Sequence, residues 1–293
     1  MQYSNKQVEM MRTVEQDKSF PGRNIDQMPL LLGEGRSPWT AARFMKERIA
    51  HANEFPDLLS YIDVSDLIAY DLSKRSKDSK LILTVDKNGR VTEQGRKALE
   101  LINPNANLTS DYAANVNGVY DSLPGIVVPR ADFGVLERDL TQDEILNSKV
   151  WRILARHPDE VPAEFAEDLA LLKEYAGWVK GKTNQDTNMG VYLDNNSKDA
   201  KLRAFFVVWL DDRSRLGGWF DLDDVNGRLV GYLAPEAPNA LGNVEQRVAS
   251  PERRILTVDE VLEETSQTSA YAPDQIKKLQ NILDQRGYVI SVK

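Results

Sequence analysis

Residues 189–233 read MGVYLDNNSKDAKLRAFFVVWLDDRSRLGGWFDLDDVNGRLVGYL, and this stretch decides the fold class. Four runs in it, MGVYL, KLRAFFVVWL, GWFDLDD and RLVGYL, are rich in β-branched and aromatic residues and are separated by short polar turns. That is the pattern of an antiparallel β-meander. Two helical patterns precede it: LTQDEILNSKVWRILARHP, which opens with Thr141 and Glu144 in capping-box spacing, and PAEFAEDLALLKEYAGWV. Helices beside a contiguous run of strands predict an α+β fold, helices packed on an antiparallel β-meander.

The same stretch concentrates carboxylates: Asp194, Asp211, Asp212, Asp221, Asp223 and Asp224. A two-residue turn at Asn226-Gly227 would set Asp224 opposite Leu229 and Asp223 opposite Val230. Asp221 and Asp223 would then share one face of the sheet and Asp224 would take the other. A divalent cation would need a third carboxylate from Asp194, Asp211 or Asp212, so Asp194, Asp211, Asp221 and Asp223 are the metal candidates of a hydrolase or nuclease reading. A calcium loop starting at Asp221 fails on spacing, because its glycine comes one residue late and no glutamate closes it. The segment VYLDNNSKDAKLRAFFVVWLD resembles the opening of ribonuclease-H-like nucleases, and that resemblance implies Asp194 as first metal ligand. Two prolines and a glycine in LAPEAPNALGNVEQ stand where that family's glutamate-bearing helix should follow. The aspartates therefore read as turn and edge residues that discourage strand-edge pairing.

Upstream, residues 1–36 are polar with two glycine-bearing breaks and read as an extended N-terminal arm. MPLLLGEG within it offers Leu30, Leu31 and Leu32, expected to dock in an apolar groove as an irregular or strand-like segment after Pro29. Residues 37–102 read as a helical region with a basic β-hairpin. A helix starts at Ser37-Pro38, a second covers DLLSYIDVSDLIAYDL, KLILTVDKNGRV turns at Asn88-Gly89, and TEQGRKALELI is helical. Residues 103–125, rich in Asn, Ser, Gly and Pro, read as a linker. Residues 126–293 form the α+β domain, ending in a helix and strand over APDQIKKLQNILDQRGYVISVK.

The hairpin region 74–97 holds eight basic residues, Lys74, Arg75, Lys77, Lys80, Lys87, Arg90, Arg96 and Lys97, against three acidic ones, in a chain of net charge -8. A two-residue turn would place Lys87 opposite Arg90, a pairing that favours an intervening anion. Helices followed by a hairpin and then VTEQGRKALE resemble the end of a winged-helix domain, whose wing tip meets the DNA backbone; the preceding VSDLIAYDL is acidic where that family has a basic recognition helix.

Other chemistries find little footing. There are no cysteines and only two histidines, His51 and His157, with no H-E-x-x-H. Gly181-Lys182-Thr183 ends like a phosphate-binding loop, but Ala176 occupies the first glycine position and a helix precedes instead of a strand. The N-terminus has no apolar signal region, and the longest apolar run, AFFVVWL, is too short to span a bilayer.

The sequence is thus read as a non-catalytic, cytoplasmic interaction or assembly protein with no cofactor. Its expected partner is a protein or a second copy, contacted through the arm and exposed aromatics Trp39, Trp219 and Tyr232. Weak, sequence-independent nucleic-acid binding through 74–97 is the second reading and a carboxylate-metal hydrolase the third.

Overall fold

The computed structural model describes residues 17–71, 78–193, 199–207, 210, 213–218 and 222–234, which fall within one compact unit. At its centre lie two antiparallel strands, β3 (Ile62–Asp71) and β10 (Ala200–Val207), buried along their whole length. Strands covered on both faces lose the alternation of apolar and polar residues. This is why IDVSDLIAYD, expected as a helix, is a strand. Ile62, Val64, Ile68 and Tyr70 enter one core, and Leu67 and Ala69 enter the other.

Further strands extend this pair. One edge of β3 takes β4 (Asp78–Ile82), which carries β6 (Ile126–Pro129). Farther along, β12 (Arg228–Tyr232) lies parallel to β3 through Leu229 and Asp63 and carries β1 (Asp17–Pro21) and β2 (Ser37–Pro38) antiparallel. The outer edge of β10 takes β5 (Ala114–Asn115) and β11 (Leu216–Gly218), and β9 (Val191–Leu193) lies parallel to β11. Ten strands of mixed direction make this sheet among the described residues, with β7 (Leu140–Thr141) and β8 (Thr187–Met189) paired apart from it.

The chain is α+β. Its strands do not follow one another as the expected meander: β9 pairs with β11, and β12 crosses to β3 and β1. Residues 228–232 therefore find partners in the N-terminal segment and, among the described residues, not in 222–225. Phe20, not Asp224, stands opposite Leu229, and Ser19, not Asp223, opposite Val230. The turn itself is closed by Gly227 N–H on the Asp224 carbonyl at 3.0 Å. Only glycine fits there, since a Cβ on Gly227 would lie 2.4 Å from the Gly22 carbonyl oxygen.

The N-terminal residues that are described do not form an extended arm. After β1, helix α1 (Asn24–Gly33) buries Ile25, Met28 and Leu31 at helical spacing. Pro29 lies inside it and withholds one backbone N–H, a cost that burying this apolar face offsets, at about 1.5–3 kcal/mol for each large aliphatic side chain. Ser37 and Pro38 are a short strand, and α2 (Ala41–His51) starts three residues later, with Thr40 capping the Arg43 N–H. Residues 103–125, expected as a linker, pack Ala113, Ala114, Val116, Tyr120 and Leu123 into the body and supply β5.

Between β4 and α3 (Glu93–Leu99) the chain does turn at Asn88-Gly89, but the pairing is a single bridge, Val85 to Val91. Gly89 has φ +80 and donates to the Asp86 carbonyl, giving a turn with one extra residue. Lys87 and Arg90 are consequently not opposite each other; Arg90 faces Asp86 instead. Two short helices, α4 (Arg130–Gly134) and α5 (Gln142–Asn147), follow, the latter with the full Thr141/Glu144 capping box. Helices α6 (Lys149–Leu154) and α7 (Leu171–Thr183) pack with α2 on one face of the sheet, while α1 and α3 cover the other. The segment APDQIKKLQNILDQRGYVISVK lies outside the described residues.

Candidate functional site

On β10, Lys201 and Arg203 occupy alternate positions and so share one face with Phe205. Neither cation is exposed at all. Lys201 sits 5.7 Å from the Tyr70 ring, its register partner on β3, and Arg130 lies 5.5 Å from the same ring. A buried cation is costly without a counter-charge and hydrogen bonds. Asp111 supplies both: its carboxylate bonds Lys201 Nζ and, at 2.8 Å, Arg203 Nη2, and its backbone carbonyl accepts from the same guanidinium at 2.6 Å.

The loop bearing Asp111 is closed by its own side chains. Thr109 donates its backbone N–H to the Ala113 carbonyl at 2.8 Å, accepts the Ala113 N–H on its hydroxyl oxygen at 3.1 Å, and gives its hydroxyl proton to the second Asp111 oxygen. Tyr112 follows with φ +56, a left-handed conformation that a side-chain-bearing residue adopts only where its surroundings impose it. Its N–H reaches the Thr109 carbonyl at 3.0 Å and its carbonyl accepts from Leu222 at 3.1 Å. The result is an aromatic side chain 48% exposed on a backbone fixed from below by two buried cations. None of Asp111, Tyr112, Lys201 or Arg203 was a candidate on sequence. The signal was present in AKLRAFFV, where two cations fall on the same strand face as apolar Phe205 and Val207.

Of the predicted carboxylate set, only Asp223 and its neighbour Asp224 fall among the described residues. Asp223 pairs with Arg23 at 2.8 Å, and Asp224 accepts the Asn226 N–H at 2.8 Å. Asp194, Asp211, Asp212 and Asp221 lie outside the described residues. Among the described residues no group of three or more His, Asp or Glu could hold a metal ion.

Of the basic set, Lys74, Arg75 and Lys77 lie outside the described residues. Lys80 gives its ammonium protons to the carbonyls of Tyr120, Asp121 and Leu123 at 2.9, 3.0 and 2.8 Å, which makes it a cap on the turn that follows β5. Lys87 and Arg90 are exposed; the Lys87 N–H donates to the Glu164 carbonyl and the Arg90 N–H to the Asp86 carboxylate. Of the three leucines, Leu31 is fully buried against Gly231 of β12, Leu32 is partly buried and Leu30 is 57% exposed.

Two aromatics expected at the surface are in the core, Trp39 and Tyr232, and Trp219 lies outside the described residues. Tyr232 is covered by the Arg43 guanidinium at 3.9 Å, and burial pushes its phenol up to about 12. His51 packs edge-on against Phe55 at 6.3 Å, and His157 accepts the Asp159 N–H. Gly181, Lys182 and Thr183 belong to α7, where Lys182 reaches Asn53, and Asn184, with φ +54, ends the helix in place of Gly181.

No protein-family model matches the chain, and no curated protein matches it. One solved structure, described as "Accommodation of massive sequence variation in Nanoarchaeota by the C-type lectin fold", is similar to it at 14% identity with a TM-score of 0.47, over 74% of this chain and 97% of that one.

Proposed function

We propose that this chain is a non-catalytic interaction protein whose recognition element is the loop Thr109–Ala113, with Tyr112 as its anchor. The observation that carries this reading is the construction of the loop: an aromatic side chain held half-exposed at φ +56, next to a carboxylate bonded to two fully buried cations. Tyrosine offers a large contact area with few rotatable bonds, and a backbone already fixed in the bound shape loses little entropy on association. Val225, 72% exposed, lies in the turn that follows Leu222, which is bonded to Tyr112, and extends the apolar contact area.

The expected partner is a protein or a second copy of the chain. Gel filtration of an extract of the cells that make this protein tests the reading. The chain should elute well above its 33.1 kDa mass, and Tyr112→Ser should return it to the monomer position with its melting temperature kept. Elution of the native chain as a monomer in the extract would remove the interaction reading.

A further inference from the structure

Two aspartates of β3, Asp63 and Asp66, are 2% and 0% exposed. Asp66 is bonded to Arg156 at 2.7 Å and accepts the Ala41 N–H at 2.7 Å. Among the described residues Asp63 has no cation. It accepts the Arg228 N–H at 2.7 Å and a hydrogen bond from the side chain of Asn24, the first residue of α1. Asn24 is itself 5% exposed, and its amide oxygen has no partner among the described residues. A buried carboxylate without a cation is an arrangement one proton resolves. With a proton on Asp63 no uncompensated charge is buried, and the carboxyl oxygens still accept from the Arg228 N–H and the Asn24 side chain.

The position of this pair links it to one segment. Asn24 follows β1, which is joined to the body by its ladder with β12, by Gly22 N–H on the Gly227 carbonyl at 2.7 Å and by Ile25 N–H on the Leu222 carbonyl at 3.2 Å. Arg228, whose N–H bonds Asp63, opens the strand on which β1 is laid.

We propose that Asp63 and Asn24 form a proton-dependent clasp that holds residues 17–33 on the sheet, the segment being loosened when Asp63 gives its proton to solvent.

The groups around Asp63 agree with this. The Tyr61 phenol on the same side stays protonated, its titration pushed far up by burial and by Asp63. Asp224, from the turn before β12, repels a second negative charge at Asp63. The Arg228 side chain is turned to Ser19, and on the N-terminal segment Arg23 is paired with Asp26 and Asp223. From β10 the residue opposite is uncharged Phe206. Burial, opposed by the two hydrogen bonds, pushes the Asp63 carboxyl up to about 7.

Hydrogen exchange on the full chain between pH 4.5 and 8.5, corrected for intrinsic rates, tests the clasp. The readout is protection of amides in 18–31 relative to those in α7. It should fall by up to about tenfold per pH unit as pH rises towards 7 and level off above, because only the closed form holds the proton in that window. Asp63→Asn should abolish the pH dependence and leave the segment protected throughout. Should that variant not fold, Asn24→Ala, which removes one of the two hydrogen bonds that favour the anion, should carry the fall in protection to higher pH. A flat ratio in the native chain, or the native pH dependence kept in either variant, overturns the proposal.

Discussion

Asp63 and Asp66 stand three residues apart on one strand, both buried, and among the described residues a guanidinium bonds only Asp66. Along a β-strand that spacing puts them on opposite faces, so the same residue type meets two chemistries: Asp66 lies under α2 and the Arg156 loop, Asp63 beside α1 and the start of β12.

The difference predicts opposite responses to mutation. Arg156→Met leaves Asp66 as an uncompensated buried charge, whose carboxyl burial already pushes upward against the pull of Arg156. Breaking one side of a buried pair costs about 3–5 kcal/mol, and urea unfolding at pH 7 should show a loss of that order.

Asp63→Asn should do the reverse. The folded carboxyl titrates near 7, above the ordinary aspartate value of about 3.9, so the native state binds more protons than the unfolded one between those limits. Stability due to this group is therefore fully present below pH 4, falls as pH rises to 7, and is constant beyond. The asparagine variant should match the native chain near pH 4 and exceed it at pH 8, by at most about 4 kcal/mol. Equal stabilities at pH 8 would contradict the assignment.

Gly95 gives a prediction against helix propensity. In an exposed helix Gly→Ala stabilises by up to about 1 kcal/mol. In α3, however, a Cβ on Gly95 would lie 2.2 Å from the Thr84 carbonyl oxygen, a backbone atom held by the Thr92 N–H. Gly95→Ala should destabilise by about 1–3 kcal/mol in chemical denaturation, as overpacking does.

What the sequence disclosed follows the range of the interactions involved. The Thr141/Glu144 capping box and the strands at 200–207 and 228–232 rest on local pattern and stand in the structure. The partners of β12 do not, because β1 lies more than 200 residues away in sequence and the turn at Asn226-Gly227 offered a nearer alternative. IDVSDLIAYD, read as a helix, is a buried strand whose Asp66 meets its cation 90 residues later, a pairing no local pattern discloses. The polar composition of 103–125 suggested a linker. Its asparagines and threonine serve instead to close turns, as Thr109 does around Asp111. The loop itself depends on Lys201 and Arg203, which are distant from it in sequence, so no local pattern marks it.

A photo-crosslinking residue placed at position 112 tests the central claim most directly. Expressed in the cells that make this protein and irradiated, the full chain should give one discrete adduct, with a partner or with a second copy. The same residue at Lys97, on the outer face of α3, should not give it. No adduct at 112, or an identical adduct pattern from both positions, would contradict a recognition role for the Tyr112 loop.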